Sequence, residues 1–165
     1  MRMGAVLSVF ALFLALGVPA HALDTQCVVV GPAASTLSQI AREAASAQRQ
    51  ADEIESYLWT NHSPDWRWVA SSMNLLKENV RNLQKFIGSF ERSEPRLTEA
   101  QTQQLERIKT GLATLTVFVN HTYTLIRDQQ ILPHRSSLLA NAKAMSARAE
   151  IIRDAARNLR VVESA

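Results

Sequence analysis

The sequence predicts an all-α fold, an antiparallel up-down-up-down four-helix bundle with a heptad-type core. Two observations lead to this prediction. Four stretches of the chain carry apolar residues on two interlocked ladders with a spacing of seven, and short connections separate these stretches. Two apolar positions in every seven residues place one stripe along an α-helix and bury that stripe against similar helices. Short connections make consecutive helices run antiparallel.

The first predicted helix begins near Thr36 and ends around Thr60. Thr36 and Gln39 have the spacing of a capping box, in which two side chains satisfy backbone N–H groups at the start of a helix. We expect residues 23–34 to form an irregular leader before this helix, so that the bundle domain spans residues 35–165. The ladder residues are Leu37, Ile40, Ala44, Ala47, Ala51, Ile54 and Leu58.

The second predicted helix begins at the run Ser63-Pro64-Asp65 and continues to about Phe90. Serine can cap a helix, proline suits its first position, and a carboxylate there interacts favourably with the helix dipole. The ladder residues are Trp66, Val69, Met73, Leu76, Val80, Leu83, Ile87 and Phe90.

The third predicted helix begins with a second capping box, formed by Thr98 and Gln101, and the fourth spans Ser136–Val161. Pro133 separates them because proline interrupts a helix. A kinked three-helix arrangement, with these two helices partly fused, is the structural alternative. The ladder residues are Leu105, Ile108, Leu112, Leu115, Val119, Thr122 and Ile126 on the third helix, and Leu138, Ala142, Met145, Ala149, Ile152, Ala156 and Leu159 on the fourth.

Alanines on the first and fourth helices predict that these two helices are close neighbours. Each of the two ladder sets contains three alanines, whose small side chains permit close backbone approach. From Ala33 to Thr60 the chain has two basic and four acidic residues, whereas from Pro133 onward it has six basic and three acidic residues. Opposite net charge therefore also favours this pairing.

The first 22 residues have the pattern of a secretory signal peptide. A basic residue at position 2 precedes an apolar run from Ala5 to Val18, and a small-residue pattern that ends at Ala22 follows. The apolar run is shorter than the roughly 20 residues needed to span a bilayer. We therefore expect cleavage near Ala22 and a periplasmic or secreted location, with an uncleaved membrane anchor as the alternative.

Composition and motifs argue against several classes of function. The formal net charge of +3 is too small to indicate nucleic-acid binding. Cys27 is the one cysteine, so the chain has neither an intramolecular disulfide nor the Cys-x-x-Cys-His attachment site of a c-type haem. The sequence contains no Glu-x-x-His motif, glycine-rich phosphate loop or Gly-x-Ser-x-Gly elbow. We therefore expect a protein without a cofactor and without catalytic activity.

Two loop histidines are weak candidates for a metal site. In an up-down-up-down bundle the first and third connections lie at the same end, which would bring His62 close to His134. Asp65 and Asp128 lie near them in the sequence, and imidazole and carboxylate groups are suitable ligands for a divalent metal. The alternative is that all four are ordinary solvated loop residues.

Two further sets of residues are candidates for contact with a partner. Trp59 and Trp68 flank the first connection, where aromatic side chains either close the end of the core or anchor a partner. Arg153, Arg157 and Arg160 form one basic stripe, which either pairs with the acidic first helix or contacts an acidic protein or an anionic lipid. The expected partner is a protein, contact with a membrane surface is a further option, and the oligomeric state stays open.

The run Leu97-Thr98-Glu99-Ala100-Gln101 resembles the Leu-Thr-x-x-Gln motif of the Spy/CpxP family of small helical periplasmic proteins. That family includes an ATP-independent chaperone, so the resemblance, which covers five residues, implies a chaperone as an alternative function. A chaperone would need an exposed apolar patch, to which Leu75, Phe86, Phe118 and Leu125 could contribute. The same four residues would otherwise widen the core.

The sequence thus predicts an exported, cofactor-free helical bundle that acts as a binding, scaffold or interaction protein. The Spy/CpxP-like chaperone is one alternative. A metal-binding protein that uses the loop end around His62 and His134 is the other.

Overall fold

The computed structural model describes residues 32–93, 96–127 and 135–159, and four α-helices account for nearly all of them. The helices are α1 (Pro32–Thr60), α2 (Trp66–Arg92), α3 (Glu99–Arg127) and α4 (Arg135–Asn158). They pack against one another, and no β-strand occurs in these three ranges. The predicted all-α class with four packed helices is therefore confirmed.

Several predictions concern residues outside the three ranges. They concern the signal peptide at residues 1–22, most of the leader, which includes Cys27, and the roles of Asp128, Pro133, His134 and Arg160. Among the helices that the structure describes, none combines the length and the apolar character that a membrane span requires.

The structure has α3 begin after its predicted capping box, whereas α2 begins at Trp66, so that Asp65 and not Ser63 is its cap and Pro64 lies before the helix. Asp65 is the N-cap of α2, and its Oδ1 atom accepts a hydrogen bond from the N–H of Arg67 at 2.9 Å. At α3 the N–H of Thr98 donates to Gln101 Oε1 at 2.8 Å, and the N–H of Gln101 donates to Thr98 Oγ1 at 3.3 Å. This reciprocal pair is the predicted capping box, and it satisfies N–H groups that have no partner within the helix.

The start of α1 differs from the prediction. The helix begins at Pro32, four residues before Thr36, so residues 32–34 belong to the helix and not to the leader. Proline suits the first turn because its fixed φ matches the helix and it has no N–H to satisfy. The pair Thr36 and Gln39 has the spacing of a cap but lies inside the helix. At the other end of the chain, Arg135–Asn158 starts one residue before the predicted fourth helix and ends three residues before its predicted end.

Apolar side chains from all four helices form one core. Every predicted ladder residue is buried except Trp66, which is half-buried and packs against the core. The buried residues that the ladders miss are Ala33, Ala41, Ser72, Gly111 and Ala155. All five are small, so a search for a periodic pattern of large apolar residues does not find them.

The four helices contact their neighbours in a ring. The helix α1 packs against α2 and α4, and α3 packs against the same two helices. The diagonal pairs, α1 with α3 and α2 with α4, make no close backbone contact within the described ranges. The contact between α1 and α4 is the most extensive, which confirms that they are close neighbours. The fully buried alanines on these two helices are Ala44, Ala47, Ala51, Ala142 and Ala149.

Side-chain pairs link the neighbouring helices at every seam. They include Glu43–Asn82 and Tyr57–Trp68 between α1 and α2, Glu91–Lys109 and Lys77–Tyr123 between α2 and α3, Thr122–Asn141 between α3 and α4, and Gln48–Arg153 between α1 and α4. Five of these pairs lie partly in solvent, whereas Thr122 is buried in the core. Polar contacts therefore border the apolar interior along every seam.

Gly111 allows α3 to approach α4 closely. A Cβ atom at this position would lie 2.9 Å from Cγ1 of Ile152, a fully buried residue of α4. Gly88 on α2 has a different environment, because the nearest atom to a Cβ there is the end of the flexible Arg92 side chain, at 3.4 Å. Replacement by alanine should therefore change the free energy of unfolding in opposite directions at the two glycines.

We expect Gly111→Ala to lower the free energy of unfolding by about 1 kcal/mol and Gly88→Ala to raise it by about 0.5 kcal/mol. Alanine is favoured over glycine by about 1 kcal/mol inside any helix. At position 111 the clash with Ile152 costs about 1–3 kcal/mol and outweighs that gain. Urea unfolding of the purified variants, followed by circular dichroism, measures both changes. Shifts of the same sign would contradict the close approach of α3 to α4.

Candidate functional site

The described interior of the bundle contains no ionisable side chain. Its two buried polar residues are Ser72 and Thr122. The Oγ1 atom of Thr122 accepts a hydrogen bond from Asn141 Nδ2 at 3.1 Å, which gives the buried hydroxyl a partner. In this part of the chain, groups that could bind a metal or transfer a proton therefore lie on the surface.

Tyr57 organises the connection between α1 and α2. Its ring packs on the ring of Trp68, with the two centroids 4.1 Å apart and the planes tilted by 34°. Its hydroxyl oxygen accepts a hydrogen bond from the N–H of Asp65 at 2.8 Å. One side chain of α1 thus holds both the N-cap of α2 and an aromatic residue of the first turn of α2.

The two candidate tryptophans differ in exposure. Trp59 is 73% exposed, whereas Trp68 is 36% exposed and is partly covered by Tyr57. Trp68 therefore contacts α1 through the ring of Tyr57. Trp59 instead presents most of its indole ring to solvent.

The backbone beneath Trp59 is held by a residue of α4. The guanidinium of Arg135 donates hydrogen bonds to the carbonyl oxygens of Leu58 and Trp59, the latter at 2.9 Å. These carbonyls belong to the last turn of α1, where no further helical N–H is available to them. A positive charge at this end is also favoured by the helix dipole. Arg135 therefore fixes the position from which the Trp59 side chain projects.

The structure describes two of the four metal-site candidates. His62 and Asp65 are both exposed, and the carboxylate of Asp65 is engaged as the N-cap of α2. His134 and Asp128 lie outside the described ranges. Within residues 32–93, 96–127 and 135–159, no three His, Cys, Asp or Glu side chains are grouped so that they could hold a metal ion.

Arg153, the first residue of the predicted basic stripe, is paired within the bundle. Its Nε donates to Asp154 Oδ1 at 2.8 Å, and another nitrogen lies 3.2 Å from Glu150 Oε1. The guanidinium also donates to the Gln48 side chain of α1. The hydrogen bond with Asp154 raises the pKa of the Arg153 guanidinium and lowers the pKa of the Asp154 carboxyl. Arg153 therefore links α4 to α1 through the neutral side chain of Gln48, whereas its acidic partners lie on α4 itself and not on the first helix.

The other two arginines of the stripe have different positions. Arg157 is exposed. The hydrogen bond from Arg153 is the largest cause of the lowered pKa of Asp154, and the positive charge of Arg157 is a smaller one. Arg160 lies outside the described ranges. Of the predicted stripe, the structure therefore shows one exposed guanidinium, that of Arg157.

We expect Asp154→Asn to remove a small, pH-dependent part of the stability. Arg153 lowers the pKa of Asp154 in the folded state below its ordinary value of 3.8. The ionised carboxylate therefore contributes stability above that value, and the contribution is lost as the pH falls through the lowered folded-state pKa. Because both side chains are partly exposed, the loss should be below about 1 kcal/mol. Urea unfolding near neutral pH should show the loss, and unfolding in strong acid should not.

A groove lies along the seam between α3 and α4, and no pattern in the sequence predicted it. It has a volume of about 590 Å³ and is open to solvent. Its lining includes Glu99, Glu106, Arg107, Gly111, Arg148 and Ile151. No local signal in the sequence could have found it, because the groove depends on how α3 and α4 pack against each other.

The apolar residues outside the ladders mostly widen the core. Phe86, Phe118 and Leu125 are half-buried and pack against it. Leu75 is 57% exposed on α2, and Val117 is 66% exposed on α3. The exposed large apolar side chains of the described residues are thus distributed over all four helices.

The structure separates the residues that the sequence proposed for partner contact. Trp59 and Arg157 are exposed, whereas Trp68 and Arg153 are engaged in contacts between helices. Comparisons with protein-family models, with curated proteins and with solved structures each return no match.

Proposed function

We propose that this chain is an exported helical bundle that binds a protein partner, without catalysis and without a cofactor. The observation that carries the proposal is the 73% exposure of Trp59, at the end of a helix whose last carbonyls are held by Arg135. Tryptophan is enriched among the residues that contribute most to protein–protein affinity, because it covers a large area and has few rotatable bonds. Trp59 is therefore the anchor that such a partner would cover.

The proposal includes an antiparallel up-down-up-down topology with heptad packing. Contacts between neighbouring helices support it, because residues late in one helix meet residues early in the next. Between α3 and α4, for example, Thr122 contacts Asn141, and Gly111 lies beside Ile152. The burial of the ladder residues at intervals of seven supports heptad packing.

The apolar surface favours a single anchor over the chaperone alternative. A chaperone that holds unfolded clients needs a continuous apolar patch. Three of the four candidate residues, Phe86, Phe118 and Leu125, pack against the core instead. If the purified mature protein suppressed the aggregation of an unfolded client at stoichiometric amounts, the chaperone would be preferred.

The first experiment places the photoreactive residue p-benzoylphenylalanine at position 59 of the full chain in intact cells of the source organism. We expect one discrete cross-linked product in the extracytoplasmic fraction. Within that product, we expect the chain that carries position 59 to begin at Leu23. The matched control carries the same residue at the exposed position Lys85 on α2 and should give no product. Absence of a product at position 59 would overturn the binding role, and retention of residues 1–22 would overturn cleavage.

The second experiment measures the affinity of the cross-linked partner for the purified protein. Trp59→Ala should weaken binding by about thirtyfold, the effect of losing a residue that contributes about 2 kcal/mol. Leu75→Ala, which removes another exposed apolar side chain, should change the affinity by less than about threefold. Equal effects of the two substitutions would contradict the role of Trp59 as the anchor.

A further inference from the structure

We propose that the groove along the α3–α4 seam binds a small organic anion that has an apolar body, such as a carboxylate on an aliphatic chain. The groove includes no residue of α1, and this site is independent of the proposed protein contact at Trp59. Its volume of about 590 Å³ lies within the range of roughly 300–1,000 Å³ that is typical of small-molecule sites.

Two arginines from different helices line the groove near Gly111, which is the last residue of α3 in the lining. Arg107 lies one helical turn before Gly111 and therefore shares its face of α3. On α4 the carbonyl oxygen of Arg148 would lie 3.8 Å from a Cβ atom at Gly111, so the two helices meet at this point. Both arginines line the groove. Neither guanidinium makes an ion pair or a hydrogen bond with any part of the chain that the structure describes.

Of the two acidic residues of the lining, Glu106 pairs with a lysine and Glu99 lies far from Gly111. Glu106 lies 3.1 Å from Lys109 Nζ, and hydrogen bonds from Lys109 to Glu106 and Glu91 raise the pKa of Lys109. Lys109, which lies outside the groove, therefore compensates part of the charge of Glu106, because Glu91 shares the same lysine. Glu99 is the first residue of α3, about 18 Å from Gly111 along the helix axis at the usual rise per residue.

The remaining surface around the two arginines suits an apolar body. Gly111 adds no polar side chain to the lining, and Ile151, another lining residue, is 37% exposed. A guanidinium binds a carboxylate through two parallel hydrogen bonds, which a cationic ligand cannot form. An aliphatic chain next to the carboxylate would cover Ile151 and remove apolar surface from water. The site therefore favours an anion over a cation that carries the same chain.

The test is isothermal titration calorimetry of the purified protein with decanoate below its micelle concentration. We expect saturable binding of one decanoate per chain. Decyltrimethylammonium, which carries the same chain on a cation, should bind at least about tenfold more weakly. Arg148→Gln and Arg107→Gln should each weaken decanoate binding by about tenfold.

Arg157→Gln is the matched control, because it removes the same charge from an exposed position of α4 that does not line the groove. It should change decanoate affinity by less than about twofold. Equal binding of the anion and the cation, equal effects of the three substitutions, or no saturable binding of decanoate would each overturn the proposal. Circular dichroism spectra of all three variants should match that of the unaltered protein, because the substituted residues are exposed.

Discussion

Replacing Leu76 by alanine should lower the free energy of unfolding by about 2–5 kcal/mol. Leu76 is fully buried on α2, in the core that all four helices share. The substitution removes apolar groups from a close-packed interior and leaves a cavity that the surrounding side chains fill only in part. Urea unfolding of the purified protein, followed by circular dichroism, measures the change.

The neighbouring residue provides a matched control. Leu75 is 57% exposed, so Leu75→Ala makes the same chemical change on the same helix outside the core. It should change the free energy of unfolding by about 0.5 kcal/mol or less. If the two variants were equally unstable, the assignment of Leu76 to the core and Leu75 to the surface would be wrong.

Ala149→Leu should lower the free energy of unfolding by about 1–3 kcal/mol. Ala149 is fully buried and lies one turn before Arg153, which contacts Gln48 of α1. Residues one turn apart share a face, so Ala149 lies in the contact between α4 and α1. A leucine there would force the two most closely packed helices apart. Thermal unfolding would show the effect as a lower Tm.

The control for this substitution is Ala147→Leu, two residues earlier on α4. Ala147 is exposed, and leucine has nearly the same helix propensity as alanine, so the free energy of unfolding should change by about 0.5 kcal/mol or less. A large effect at position 147 would place it, and not position 149, against α1.

Much of the fold could be predicted from the sequence because apolar periodicity and capping are local signals. The ladders identified nearly all of the core, and the Thr98–Gln101 capping box identified the start of α3. The predicted start of α1 was wrong because two local signals compete in this part of the sequence. Thr36 and Gln39 have the spacing of a cap, but Pro32 is equally suited to a first turn, and the helix extends back to it.

The candidate surfaces were harder to predict because they depend on contacts between distant residues. Trp59 is more exposed than Trp68 because the ring of Tyr57 packs on Trp68. Arg153 donates a hydrogen bond to Gln48, a residue 105 positions earlier on α1. Periodicity within one helix contains no information about such partners.

The extensive contact between α1 and α4 has a consequence for the order in which the protein folds. These two helices are the farthest apart along the chain, and Arg135 reaches back 77 residues to the carbonyl of Leu58. A ribosome makes α1 first, so its alanine-rich face has no matching surface until the final helix emerges. Closing so long a loop delays the step that joins the two helices. A nascent chain that stops before α4 should therefore remain incompletely folded and sensitive to proteases.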